Sequence, residues 1–152
     1  LLLAGNYLND LPSSISLLQS LTSLSLSDNN LMEVPKGIIQ LVNLKQLRLN
    51  GNAIRQLPRS LGLLNQLQEL QVQENQLTNL PVSIGLLSQL QSLNANFNQL
   101  SEIPTSIHQL KSLKECYLNN NQIQYFPPGL APLSKLEVLF LHENKLVSIP
   151  DS

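Results

Sequence analysis

Asparagine and proline recur through this chain with one shared spacing, and that spacing limits the fold more than any other feature. Each asparagine of one series lies 23 residues after the previous one, and each proline of a second series keeps the same step. The asparagines are Asn6, Asn29, Asn52, Asn75, Asn98, Asn121 and Asn144, and the prolines are Pro12, Pro35, Pro58, Pro81, Pro104, Pro127 and Pro150. Two unrelated residue types do not hold one period through seven copies by chance, so the chain is built from structural repeats.

The repeat unit is L-x-x-L-x-L-x-x-N-x-L-x-x-L-P-x-x-I-x-x-L-x-x when Leu21 is taken as position 1. Positions 4 to 6 alternate around an apolar pair, as in Leu24-Ser25-Leu26, which predicts a short strand with one buried face. Each strand returns through the same long connection, so successive strands must be parallel, and seven of them would form a sheet roughly 30 Å long. Apolar residues at positions 18 and 21, such as Ile84 and Leu87, predict a short helical or 3-10 turn on the return side.

The asparagine at position 9 lies where the chain leaves the strand. A buried amide there can donate to and accept from loop backbone groups that would otherwise be unpaired. We therefore expect the seven asparagines to form a ladder in which one rung is worth ~1–3 kcal/mol. The proline at position 15 keeps the preceding residue extended and prevents an early helix.

A single unit of this kind cannot bury enough apolar surface to fold, so neighbouring units must share a continuous core. The expected fold is an α/β repeat solenoid. We expect residues 1–152 to form one domain of about six and a half repeats. Because the pattern is cut at both ends, we also expect an uncapped fragment of a longer protein.

Composition excludes several classes of function. Charged residues make up 12% of the chain and the net charge is −1, so no strong field would attract nucleic acid or an anionic membrane. No apolar run approaches the ~18 residues of a membrane span. The single cysteine, Cys116, excludes an internal disulfide and favours a reducing compartment, so we expect a cytoplasmic protein. No phosphate-loop, dinucleotide, C-x-x-C or kinase motif occurs, so we expect this segment to have no cofactor and no catalytic activity.

At these residues the chain resembles the 23-residue leucine-rich repeats of the intracellular Ras-group type. Such repeats are found in scribble-like scaffold proteins, fungal adenylyl cyclases, plant Ras-group proteins and Roco GTPase-kinases. The resemblance covers essentially the whole chain and implies a right-handed arc, with a parallel sheet on the concave side where partners bind. The departures from the leucine pattern are Ala95 at position 6, Cys116 at position 4 and Phe126 at position 14, which affect local packing and not the fold.

Strand residues at positions 3, 5, 7 and 8 should point away from the core and form the concave face, including Ser25 and Ser27. The residues that we expect to contact a protein partner are Arg48, Gln71, Asn94, Phe97, Tyr117, Asn119, Phe140 and His142. Tyr117 and Phe140 occupy the same position in consecutive repeats and should be neighbours, with Phe97 one strand earlier near the loop edge. Surface aromatics among polar residues are the usual anchors of a protein interface. The alternative is that they cover the carboxy-terminal core or meet a further repeat sideways.

Other noticeable residues favour structural interpretations. Cys116 should be a small core residue. His142-Glu143 begins like the zinc motif H-E-x-x-H, but no second histidine follows, so we expect no metal site. His108 should be solvated on the return side. Three acidic residues of one column are at least two strands, or ~9.6 Å, apart and too distant for an acid–base pair; they are Asp28, Glu74 and Glu143.

The pattern therefore predicts a protein–protein interaction module that recognises its partner on the concave face. By family resemblance, this would be a scaffold in signal transduction, and a small GTPase is the partner to consider first. The alternative is a substrate-recruiting or regulatory segment of a multidomain signalling enzyme, such as a Roco GTPase-kinase or an effector ubiquitin ligase. A purely structural spacer is a third hypothesis.

Overall fold

Short parallel strands, one in each repeat, form a single sheet in the computed structural model, which describes residues 1–128 and 131–148. The strands are β1 (Ser23–Ser25), β2 (Gln46–Arg48), β3 (Glu69–Gln71), β4 (Ser92–Asn94), β5 (Glu115–Tyr117) and β6 (Val138–Phe140). Their order in the sheet is their order in the sequence. Equivalent repeat positions pair, so Leu24 lies beside Leu47 and Tyr117 beside Phe140. The predicted leucine-rich-repeat solenoid with a parallel sheet is confirmed.

The first copy of the strand is shorter than the repeat pattern predicts. Leu2 makes one isolated parallel bridge with Ser25, and residues 1–3 form no full strand. The N–H of Leu3 donates to the carbonyl of Ser25 at 2.9 Å and the N–H of Ser25 donates to the carbonyl of Leu1 at 3.0 Å, so this copy contacts β1 at a single bridge and not along a three-residue strand. The prediction of seven strands was therefore wrong for the described residues, and six strands extend about 24 Å across the sheet.

Five prolines of the repeat precede return segments that turn as 3-10 helices. These helices are Ser13–Leu17, Lys36–Gln40, Leu61–Leu63, Val82–Leu86 and Thr105–Gln109. In each of them the proline carbonyl accepts a hydrogen bond from the N–H of position 18, as Pro81 does from Ile84 at 2.9 Å. Pro81 itself is extended, with φ −68° and ψ 146°, so the helix begins after it. The short turns predicted from positions 18 and 21 are confirmed.

Aliphatic side chains from the strands and the return segments form one continuous core. Leu47 and Leu70 are fully buried at the centres of their strands, and Ile84 and Leu87 are fully buried on the return side. The departures from the leucine pattern also fill core positions, with exposed fractions of 0% for Ala95, 1% for Cys116 and 5% for Phe126. These three substitutions therefore change the local packing and leave the architecture intact.

The asparagine at position 9 joins each repeat to the one before it. Oδ1 of Asn75 accepts the N–H of Ile54 at 2.9 Å, and its Nδ2 donates to three backbone carbonyls, one of them that of Leu49 at 3.0 Å. The same four bonds are made by Asn29, Asn52, Asn98, Asn121 and Asn144. Asn6, in the first repeat, bonds only to carbonyls of its own repeat. Consecutive repeats are thus linked by side-chain hydrogen bonds at every step from Asn29 onward.

Position 8, the residue immediately before the ladder asparagine, has a left-handed backbone conformation in all seven repeats. The values of φ are 68° at Gly5, 54° at Asp28, 65° at Gly51, 56° at Glu74, 50° at Phe97, 55° at Asn120 and 53° at Glu143. This conformation is unfavourable for residues with a Cβ, and most of all for bulky ones. The turn from strand to loop therefore imposes the conformation regardless of the residue present.

Candidate functional site

The concave face carries polar and charged side chains on β2 and β3. Nε of Arg48 lies 3.0 Å from Oε1 of Glu69, and the side chain of Arg48 is 46% exposed. Gln46 donates a second hydrogen bond to Glu69 at 3.1 Å. Gln71 pairs with Arg48 in the sheet and is half-buried. Arg48 and Gln71 thus lie together on the predicted face, and the ion pair with Glu69 orients the side chain of Arg48.

Three polar residues of this face are more buried than their repeat positions predict. Ser25, Ser27 and Asn119 are only 6%, 7% and 6% exposed, so these side chains have little contact with solvent. The hydroxyl of Ser27 donates to Oδ1 of Asn50 at 2.7 Å across the sheet. Short side chains lie below the longer side chains of adjacent strands, only ~4.8 Å away, and lose their contact with water. The alternation along a strand predicts on which face of the sheet a side chain lies, but it does not predict how deeply that side chain is buried.

Aromatic rings cluster at the carboxy-terminal part of the face. The rings of Tyr117 and Phe140 meet edge to face, with centroids 5.2 Å apart and planes at 88°. Phe140 also contacts the ring of His142, with centroids 5.6 Å apart. Tyr117 is half-buried, whereas Phe140 is 46% exposed. We call Tyr117, Phe140 and His142 the aromatic cluster; the structure brings together three residues that the sequence placed on this face.

Phe97 lies apart from the aromatic cluster. It makes no ring contact with another aromatic residue of the described chain, and its side chain is 53% exposed. It occupies the left-handed position 8 with φ 50°, where a phenylalanine is strained. The turn imposes this conformation at position 8 of every repeat, so the strain at Phe97 follows from its place in the repeat. The strain was missed from the sequence, although Gly5 and Gly51 at the same repeat position were a usable signal.

Amide side chains continue along position 7 of the face. The side-chain oxygens of Gln73, Asn96 and Asn119 are buried and have no hydrogen-bond partner among the residues that the structure describes. Asn94, by contrast, uses its Oδ1 to accept the N–H of Asn96 at 3.2 Å. Buried acceptors without a partner are rare in folded proteins. His142 continues this column of polar side chains into the aromatic cluster.

The remaining singled-out residues do not form a chemical site. Cys116 is 1% exposed, and burial raises its pKa to about 12, so the thiol is a core group. His108 is half-buried and its Nε2 is inaccessible to solvent, so the expectation that it is solvated was wrong for this nitrogen. Among residues 1–128 and 131–148, no three His, Cys, Asp or Glu side chains are grouped as a metal site requires. No described helix has the length and apolar content needed to cross a bilayer.

Comparisons with known proteins agree with this geometry. The family described as leucine-rich repeat region matches residues 39–145, and the family described as Leucine Rich Repeat matches residues 20–41. No curated protein sequence matches the chain significantly.

Several solved structures are similar to the chain. A leucine-rich-repeat protein of Leptospira interrogans is 35% identical with a TM-score of 0.94, covering 99% of this chain and 38% of that one. The ectodomain of the Arabidopsis thaliana membrane receptor kinase GASSHO1/SCHENGEN3, solved in complex with CASPARIAN STRIP INTEGRITY FACTOR 2, is 34% identical with a TM-score of 0.85, covering 94% and 18%. YopM from Yersinia enterocolitica is 30% identical with a TM-score of 0.74, covering 88% and 27%. The chain spans less than half of each of these proteins, and it belongs to the leucine-rich repeat family.

Proposed function

We propose that this chain is a protein–protein interaction module whose concave face recognises a protein partner, with the aromatic cluster as its anchor. The observation that carries the proposal is the edge-to-face contact of Tyr117 and Phe140 at 5.2 Å, on a face of otherwise polar residues. A phenylalanine ring 46% exposed on a regular sheet leaves apolar surface in water that a partner would cover. Aromatic anchors surrounded by polar residues are typical of the energetic centre of an interface.

The cluster is also preorganised for binding. An edge-to-face ring pair contributes about 0.5–1.5 kcal/mol beyond its burial, so the two rings hold each other in place before a partner arrives. Little side-chain entropy is then lost when the partner binds. The polar contacts that would accompany the cluster are those of Arg48, Gln71 and Asn94, with Phe97 at the loop edge. Together these polar contacts would fix the orientation of the bound partner, while the aromatic rings would supply most of the binding affinity.

Family resemblance supports a signalling protein as the partner, with a small GTPase as the first candidate. The unbroken 23-residue period supports the Ras-group type of repeat. The related Arabidopsis ectodomain was solved with a protein ligand, which supports recognition of a protein by this fold. The single cysteine allows no internal disulfide, which favours a reducing compartment, so we place the protein in the cytoplasm, as a scaffold in signal transduction.

A second candidate is a substrate-recruiting or regulatory segment of a multidomain signalling enzyme. The chain's coverage of only 38% of the Leptospira protein and 18% of the Arabidopsis chain favours a repeat domain within a longer protein. The aromatic cluster keeps its role in this case, because it would hold the enzyme's substrate or its catalytic domain. The two candidates differ in the partner and not in the surface.

The test removes the rings and compares the proteins retained from a native lysate. Tyr117→Ser with Phe140→Ser deletes the cluster, and Val82→Ser with Leu86→Ser is the matched control, since both control residues are exposed apolar side chains of a 3-10 helix. Circular dichroism first establishes that both variants are folded. We expect the partner retained by the wild type and the control to fall by about 30-fold in the cluster variant. An unchanged set of retained proteins would contradict the proposal.

A further inference from the structure

Grooves recur along one flank of the solenoid, where each loop leaves the sheet and approaches the next 3-10 helix. Residues at positions 12 to 16 of neighbouring repeats form most of their lining, so the grooves lie at equivalent places along the solenoid. Their charges are not equivalent. The groove between Met32 and Arg59, with a volume of about 580 Å³, contains three cations and one carboxylate. We call it the basic groove, with Lys36, Arg55 and Arg59 as its cations and Glu33 as its acid.

The neighbouring grooves provide an internal comparison. The groove on the amino-terminal side contains Asp10 and Glu33 against the single cation Lys36. The next one along the chain contains one residue of each sign, Arg59 and Glu102, and the following one contains Glu102 without a cation. A third of the nine basic residues of the chain therefore lie at the basic groove. Since the repeat demands no cation at these positions, the charge is a property of this groove and not of the fold.

No local structural role accounts for the three cations. All three are exposed, and the only ion pair among residues 1–128 and 131–148 is that of Arg48 with Glu69 on the concave face. Lys36 opens the 3-10 helix Lys36–Gln40, where the helix dipole favours an acidic residue instead. The charges thus face the solvent without a partner in the described chain.

The groove is also partly apolar. Val34 and Leu57 form a buried floor, and Met32 at the rim is 68% exposed. An apolar floor with a cationic rim is complementary to a protein segment in which carboxylates flank one apolar side chain. We propose that the basic groove is a second docking site, separate from the concave face, for an acidic segment of a partner protein. The apolar residue of that segment contacts Met32 and the floor, and its carboxylates pair with Arg55, Arg59 and Lys36.

A fluorescein-labelled peptide tests this assignment directly. The probe consists of Asp and Glu residues around one central leucine, and in the control peptide every acid is replaced by its amide. We expect the full chain to bind the acidic peptide in a fluorescence anisotropy titration and not the amide peptide. Raising the ionic strength from about 0.01 M to about 0.15 M should weaken binding, because the Debye length falls from about 30 to 8 Å.

Two matched variants locate the site. Arg55→Gln with Arg59→Gln removes two cations of the groove, and Lys114→Gln with Lys135→Gln removes two exposed cations elsewhere at the same change of net charge. We expect the groove variant to bind about ten-fold more weakly, from about three-fold for each cation, and the control variant to bind like the wild type. Equal weakening in both variants, or no binding by the wild type, would overturn the assignment.

Three further measurements distinguish an acidic peptide from other ligands of the basic groove and separate the groove from the concave face. The Tyr117→Ser, Phe140→Ser variant should bind the acidic peptide normally, because the groove is independent of the concave face; loss of binding there would overturn the proposal while leaving the concave function intact. Binding only to a phosphoserine version of the peptide would assign the groove to phosphate and not to carboxylates. An increase in sedimenting mass that the groove variant abolishes would show that a second copy of the chain is the occupant.

Discussion

The side-chain oxygen of Asn75 accepts the backbone N–H of Ile54, one repeat earlier, at 2.9 Å. The same amide donates to the carbonyls of Leu49, Val72 and Gln73, so one side chain satisfies the hydrogen bonds of four backbone groups in two repeats. Five further asparagines do the same along the solenoid. These bonds turn a stack of repeats, each too small to fold alone, into one cooperative structure.

Asn75→Ala should lower the free energy of unfolding by about 2 kcal/mol, because it leaves the buried N–H of Ile54 without an acceptor. Urea denaturation followed by circular dichroism measures the change. Asn6→Ala is the control, since Asn6 is exposed and bonds only to the carbonyls of Leu3 and Ala4. Equal losses in the two variants would show that the hydrogen bonds between repeats are not what the asparagine contributes.

Phe97→Asn separates stability from binding. Asparagine tolerates the left-handed backbone and is present at the same repeat position as Asn120, so the free energy of unfolding should stay constant or rise by up to about 1 kcal/mol. Retention of the concave-face partner should decrease, because 53% of the side chain is exposed and available for contact. A clear loss of stability would instead identify Phe97 as a packing residue.

Gly85→Ala should destabilise the stacked return segments. A Cβ at this position would lie 2.5 Å from the backbone oxygen of Ser106, which belongs to the next 3-10 helix and cannot move away freely. We expect a loss of about 1–3 kcal/mol from overpacking. Gly5→Ala provides the comparison, because no atom lies within 4 Å of its added Cβ and only the left-handed φ of 68° penalises the change, by about 1 kcal/mol. Thermal unfolding of both variants distinguishes the steric from the conformational effect, and a smaller loss at Gly85 would contradict the close stacking.

Cys116 should be unreactive in the folded protein. Burial raises its pKa from the ordinary 9.0 to about 12, so almost no thiolate exists at neutral pH. An aromatic disulfide reagent should label the thiol in urea but not under native conditions, and rapid native labelling would contradict the burial. The folded pKa lies above the unfolded one, so the stabilising effect of the buried thiol is complete below pH 9 and is lost as the pH rises towards about 12. Cys116→Ala should therefore reduce the loss of stability over that alkaline range.

The sequence predicts the features that depend on the repeat itself. The parallel strands, the 3-10 turns and the adjacency of Tyr117 and Phe140 all follow from the register, because residues one period apart become neighbours. The reduction of the first strand to a single bridge at Leu2 does not follow, since Leu1 and Leu3 keep the leucine pattern of the full strands.

Features that depend on neighbouring side chains are harder to predict. The burial of Ser27 and Asn119 is set by what the flanking strands carry, and a single repeat does not contain that information. The left-handed φ at Phe97 is imposed by the turn and concealed by the variety of residues at position 8. The basic groove combines Arg55, at position 12 of one repeat, with Lys36 and Arg59, at position 16 of two consecutive repeats. Its positive charge therefore becomes visible only when the repeats are stacked.

Site-specific photo-crosslinking tests the concave anchor most directly. A benzophenone-bearing phenylalanine is placed at position 140 in the aromatic cluster and, in a separate variant, at position 82, an exposed apolar site of the 3-10 helix Val82–Leu86. Both proteins are irradiated in the cells that produce them, and the adducts are identified by mass spectrometry. The account predicts that the variant substituted at Phe140 forms a discrete protein adduct and that the variant substituted at Val82 does not form it. The same adducts from both positions, or none from position 140, would contradict it.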